Sequence, residues 1–171
     1  ELASNDPKPK TLKESLEYYP KGRVARFAPG TQVQYSNLAV SIAAYIVERV
    51  SGMTYENYID KNFFKPMGMK NMTFYNSNQY QTIGAKGYDN RTPLPFLNVL
   101  YRPSAALIGS PNDLVNLLRF FINRGKIEGV PLISENSLNR MEQNESLHIS
   151  NSELFKALGL GNFPSYYKNF I

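Results

Sequence analysis

The sequence predicts a mainly α chain with a few short strands, an α+β class. Three observations carry this. Leu38 to Val47 is apolar at helical spacing, Ser110-Pro111 opens a second strongly periodic segment, and the Pro- and Gly-broken stretch from 73 to 103 leaves room only for short strands. At 171 residues and 42% hydrophobic content the chain can bury one sizeable core.

Residues 1–10 are polar with Pro7 and Pro9 and read as an extended linker. Thr11 caps a short helix, with Glu14 at the capping-box position. A loop marked by Pro20, Gly22, Pro29 and Gly30 follows. From Ser36 a helix runs to Gly52, its natural stop, with Leu38, Ile42, Tyr45, Ile46 and Val50 at helical spacing. Because Ala39, Val40, Ala43 and Val47 fill the other faces, it is expected to be buried. Thr54 caps a second helix bearing Tyr55, Tyr58, Ile59 and Phe63, ended by Pro66 and Gly68.

No helix is predicted over 73–103, and residues 80–88 have strand character limited by Gly84, Gly87, Pro93 and Pro95. Ser110, Pro111 and Asp113 start the clearest helix, whose stripe is Leu114, Leu117, Leu118, Phe121 and Ile122, and Gly125 closes it. Ser134 caps a last helix through Leu138 and Met141, and residues 155–163 look like a strand beginning. The expected organisation is a polar linker over 1–10, a helical lobe over 11–154, and the start of a truncated α/β lobe over 155–171. Glu1 in place of Met and the aromatic run closing at Ile171 suggest that both ends are cuts within a longer polypeptide.

Composition excludes several chemistries. There are no cysteines and one histidine, His148, in a loop-like run; carboxylates are not clustered, so neither a metal site nor a Ser-His-Asp triad is expected. No cofactor is expected either, since Gly159-Leu160-Gly161 lacks the third glycine and following helix of a dinucleotide loop. The formal charge of +5 is scattered rather than striped, which argues against nucleic acid. No apolar run reaches the ~18 residues that cross a bilayer. Asn-x-Ser/Thr triplets at Asn71, Asn90 and Asn144 are expected by chance in so Asn-rich a chain.

Tyr35-Ser36-Asn37 is the informative motif. A phenol serves as a proton acceptor only where cations hold its pKa well below ~10, and an asparagine two residues on can present its amide to a carbonyl and hold a lysine. Tyr-x-Asn recurs at Tyr55-Glu56-Asn57, Tyr88-Asp89-Asn90 and Tyr167-Lys168-Asn169, and there it reads as packing tyrosines beside polar turn residues. Only the first copy sits in an ordered string: Pro29-Gly30, Tyr35-Ser36-Asn37, a helix ending Glu48-Arg49-Val50-Ser51-Gly52, a second helix, then Pro66-Met67-Gly68-Met69. This string resembles the class C β-lactamase/DD-peptidase/esterase family of penicillin-recognising serine hydrolases. With Ala105 to Arg119, Gly125 and Pro131-Leu132-Ile133-Ser134, the likeness spans residues 12–163.

The resemblance implies the helical lobe of a β-lactamase/DD-peptidase-like fold and acyl transfer through a serine acyl-enzyme on a β-lactam, a D-amino-acid peptide or an ester. Tyr35 would take and return the catalytic proton, Asn37 would bind the substrate's acyl amide and the lysine beside the nucleophile, and Ser36 would cap the helix. The family's Ser-x-x-Lys motif does not precede Tyr35; Ser165-Tyr166-Tyr167-Lys168 matches its letters in the wrong order and context. Its Lys/His-small-Gly motif is absent, and Ala105-Ala106 stands where relatives often carry two glycines. This chain alone is therefore expected to be inactive. The alternatives are a non-catalytic relative that binds cell-wall peptide or a protein partner, and a free-standing helical module. A periplasmic or extracellular location, membrane contact only through segments outside this chain, and self-association through exposed apolar surface complete the expectations.

Overall fold

The computed structural model describes residues 3–4, 9–18, 27–28, 31 and 35–143. Pro29-Gly30, Asn144, His148, the strand expected over 155–163 and the motifs at 165–169 lie outside them. Two compact units divide the chain: Glu1–Arg23 with Ser36–Leu118, and Val24–Tyr35 with Arg119–Ile171.

In the first unit, β1 (Ala3–Ser4), in the stretch expected as an extended linker, pairs antiparallel with β4 (Asn98–Val99). Helix α1 (Leu12–Tyr18) begins with the expected capping box: the Thr11 N–H donates to Glu14 Oε2 at 2.8 Å, and the Glu14 N–H donates to Thr11 Oγ1 at 3.2 Å. It packs on α2 (Asn37–Ser51), and its Leu12 and Leu16 are buried. Gly52, at φ 69°, ends α2 in the left-handed conformation that only glycine adopts cheaply. Helix α3 (Tyr55–Ile59) follows at once, capped by Thr54 and tied back to α2 because the Tyr55 N–H donates to Glu48 Oε1 at 2.9 Å.

The single helix expected over 54–66 is two pieces. After α3 the backbone widens into a π-helical turn, Asp60–Phe64, in which the Lys65 N–H donates to Asp60 O at 2.9 Å. Pro66 has no N–H to continue the α ladder, and Lys65 and Asp60 also pair across the wide turn at 2.7 Å. Phe64 thereby stacks on Phe74 at 6.0 Å, with Tyr55 edge-on to the same ring at 5.7 Å.

The stretch predicted to lack helix contains two, a correction. Helix α4 (Asn78–Ile83) takes the first part of the expected strand, residues 80–83, and the Ser77 hydroxyl caps it by accepting the Tyr80 N–H at 3.1 Å. Tyr80 then packs edge-on to Phe96 at 5.5 Å and donates its hydroxyl to Ala85 O at 2.9 Å. The strands there, β2 (Tyr88–Asp89) and β3 (Thr92–Pro93), form only a short hairpin. Helix α5 (Arg102–Ala105) is one turn long and packs on α2.

A buried ion pair joins these pieces. Arg102, 5% exposed, donates from Nε to Glu56 Oε1 at 2.8 Å, and Glu56 is 6% exposed. Its Nη1 donates to the carbonyl of Lys10, ahead of α1, and its guanidinium lies 5.1 Å from the centre of the Tyr75 ring. Burial and then the Glu56 charge push the Tyr75 phenol up to about 12.

Helix α6 (Pro111–Ile122) has the expected cap, but its covered face is not the expected one. Asp113 and Phe120 are 2% and 4% exposed, whereas Leu114, Leu118 and Ile122 are 51%, 60% and 77% exposed. The covered residues 113, 116, 117 and 120 keep helical spacing, and the Asn116 side chain donates to Gly68 O at 3.4 Å. Helix α2 likewise departs from full burial: Ser41 and Ala44 are covered, but Val40, Ile46 and Val50 are 45%, 57% and 83% exposed.

In the second unit, β5 (Lys126–Ile127) and β6 (Val130–Pro131) form a hairpin closed by Glu128 and Gly129, both at positive φ as a type I′ turn requires. Ser134 caps α7 (Glu135–Glu142), and Leu138 is fully buried. Arg124 clasps both carboxylate oxygens of Glu142 at 2.7 Å and donates to Asn139 Oδ1. No helix among the described residues is long and apolar enough to cross a membrane.

The ion pair yields a stability prediction. Arg102→Met leaves the Glu56 carboxylate buried and unpaired, and urea denaturation should show a loss of about 3–5 kcal/mol. Adding Glu56→Gln to that variant should recover a large part of the loss.

Candidate functional site

The Tyr35-Ser36-Asn37 element lies where extended chain turns into α2. Ser36 is extended at φ −153° and ψ 115°, and its Oγ accepts the Ala39 N–H at 3.2 Å. It is the helix cap expected of it, an interaction that contributes about 1 kcal/mol. Asn37 is the first helical residue and half-buried, while the Tyr35 ring is 65% exposed. The first turn of α2 carries no acidic side chain, so the positive end of this 15-residue helix favours negative charge developing beside it.

Two further Tyr-x-Asn copies fall among the described residues, and only the first packs as expected. Tyr55 packs on Phe74, and the Asn57 N–H donates to the Thr54 cap at 3.3 Å. Burial, then the neighbouring Glu56 charge, push the Tyr55 phenol up, the opposite of what a proton acceptor requires. Tyr88 is 57% exposed on the β2–β3 hairpin, with Asn90 at its turn with φ 55°.

A cavity of about 380 Å³ lies in the first unit between residues 71–73, helix α4 and the segment 108–111. Sequence reasoning missed it. Thr73 and Ile108 form its floor through a two-way backbone bridge, at 2.9 and 2.8 Å. At one edge, Gln79 Nε2 donates to Asn71 Oδ1 at 2.9 Å and Asn71 Nδ2 to Ser110 Oγ at 3.4 Å. Ser110 Oγ in turn donates to Asp113 Oδ2 at 2.7 Å. Only the last link, the Ser110/Asp113 capping box, was visible as a local sequence signal.

Asp113 thus holds the start of α6 and one side of the cavity. Burial pushes its carboxyl up, but hydrogen bonds from the Ser110 hydroxyl and backbone, and from Asn71, outweigh this and hold it below the ordinary Asp value.

Comparison with known proteins supplies the class. The β-lactamase family model matches residues 2–165, and the chain belongs to that family. Protein flp of Staphylococcus aureus is 32% identical over 100 residues, 56% of this chain and 20% of that protein. The matched stretch thus spans about a fifth of the length of such curated relatives. The octameric penicillin-binding protein homologue from Pyrococcus abyssi superposes with a TM-score of 0.69 at 26% identity, covering 88% of this chain and 34% of that one. A β-lactamase/D-alanine carboxypeptidase from Pseudomonas syringae shares the fold at 20% identity and a TM-score of 0.61, over 82% of this chain and 39% of its own. The mainly helical, partial β-lactamase/DD-peptidase-like fold follows from these matches together with the observed elements.

Asp113 gives a pH dependence with a definite sign. Its folded pKa is lowered, so its stabilisation is complete above the unfolded value of about 3.9 and is lost as pH falls through the folded value. Urea midpoints measured from pH 6 down to pH 2 should decline, and Asp113→Asn should flatten that decline while lowering stability at pH 6.

Proposed function

We propose that the polypeptide containing this sequence is an acyl-transferring serine hydrolase, acting on a β-lactam, a D-amino-acid peptide or an ester. The observation that carries the reading is the Tyr35-Ser36-Asn37 element: an exposed phenol at the capped start of α2, inside a family match covering residues 2–165. Tyr35 would accept the proton of the nucleophilic serine as it attacks the carbonyl carbon, then deliver a proton to the departing nitrogen or oxygen. Water would hydrolyse the acyl-enzyme by the same route. Asn37 would direct its side-chain amide at the acyl carbonyl and at the lysine accompanying the nucleophile.

This chain by itself would not turn over substrate, because no Ser-x-x-Lys precedes Tyr35 in it. The second reading is a non-catalytic penicillin-binding-protein-like module that binds cell-wall peptide or a protein partner. No cofactor or metal is invoked in either case. A periplasmic or extracellular location goes with both readings, any membrane tether lying in segments outside this chain.

Activity separates them. In the full-length protein, Tyr35→Phe should lower kcat for a chromogenic cephalosporin, a D-alanyl-D-alanine peptide or a p-nitrophenyl ester by about 10²–10⁴-fold with KM little changed. Wild-type turnover in that variant would remove Tyr35 from the chemistry. A full-length protein that binds the peptide without turnover would favour the second reading.

The exposed apolar residues Val40, Ile46 and Val50 on α2, with Leu114 and Leu118 on α6, also support self-association of the chain. Light scattering should show mass rising with concentration, and Ile46→Lys with Leu118→Lys should suppress the rise.

A further inference from the structure

The cavity against α4 carries an inference beyond the family chemistry. None of residues 35–37 lines it, and among the described residues no Lys, Arg, Asp, Glu or His lines it either. An ion entering would shed water with no counter-charge to meet it, so the lining selects for neutral molecules. Its apolar wall is Met72, Tyr80, Ile83 and Ile108, and Ile83 is 66% exposed, so a ligand has apolar surface to cover.

The polar edge has a direction. Gln79 spends its donors on Asn71 Oδ1 and, at 3.4 Å, on the Lys70 carbonyl, while Asn71 spends one donor on Ser110. Ser110 is fixed in turn by the buried Asp113. Among the described residues Gln79 Oε1 and one Nδ2–H of Asn71 take no partner, an acceptor and a donor on two amides held together by that relay. The complement of such a pair is one C=O and one N–H on the same group.

We propose that this cavity binds a small uncharged carboxamide carrying one flat apolar group, its carbonyl on Asn71 Nδ2 and its N–H on Gln79 Oε1. The apolar group would lie against Met72, Tyr80, Ile83 and Ile108. A volume of about 380 Å³ suits a ligand of this size rather than a protein segment.

Three probes of one shape test the charge rule: benzamide, benzoate and benzamidinium, titrated into the ¹⁵N-labelled chain and followed by amide shifts. Benzamide should give saturable shifts at Asn71, Gln79, Ile83 and Gly109, with benzoate and benzamidinium at least ten-fold weaker. Equal binding of the charged probes, or shifts confined to other residues, would overturn the proposal. Ala85→Phe, which enlarges a lining side chain, should abolish benzamide binding. Gln79→Leu, at an exposed position outside the core, should weaken it about five-fold, the worth of one hydrogen bond. Unchanged benzamide affinity in a folded Gln79→Leu variant, confirmed by spectral dispersion, would overturn the amide pairing even if Ala85→Phe does not fold.

Discussion

The first unit depends on one charge placed where water cannot reach it. Arg102 belongs to a helix a single turn long, which has little stability of its own. Its guanidinium meets the Glu56 carboxylate of α3, the Lys10 carbonyl ahead of α1 and the Tyr75 ring. Four segments far apart in sequence are thereby fixed to one another, and α5 is held where it can pack on α2. Burying such a pair earns little net stability, but leaving either partner alone is costly, so the arrangement acts mainly by penalising other packings.

What was legible in the sequence was local. Thr11 with Glu14, Ser36, Thr54, Ser110 with Asp113, Ser134 and Gly52 each mark a helix end within a few residues of themselves, and each acts where the sequence put it. Helix α4 was missed because Asn78-Gln79-Tyr80-Gln81-Thr82-Ile83 has no apolar period; the Ser77 cap and the Tyr80–Phe96 contact hold it instead. The π-helical turn after α3 has no compositional signal at all. Arg102 and Glu56 are 46 residues apart, beyond the reach of any periodicity.

Periodicity also names a face without naming what covers it. In α6 the face carrying Asp113 and Phe120 is covered although half of it is polar, and Asp113 is anchored there by Ser110 and Asn71. The Tyr35 element was found by the order of its neighbours, since Tyr-x-Asn alone occurs four times in the chain. The cavity amides could not be found that way, because nothing in the sequence joins Asn71 to Gln79 and Ser110 until the fold brings them together.

Gly109 and Met72 meet unusually closely: a Cβ on residue 109 would lie 2.0 Å from the Met72 sulfur. The contact is with the far end of a flexible side chain, so a larger residue at 109 is accommodated by swinging the Met72 thioether aside. Because both residues line the cavity, an alanine or serine at 109 would reshape its wall through Met72 rather than through the backbone.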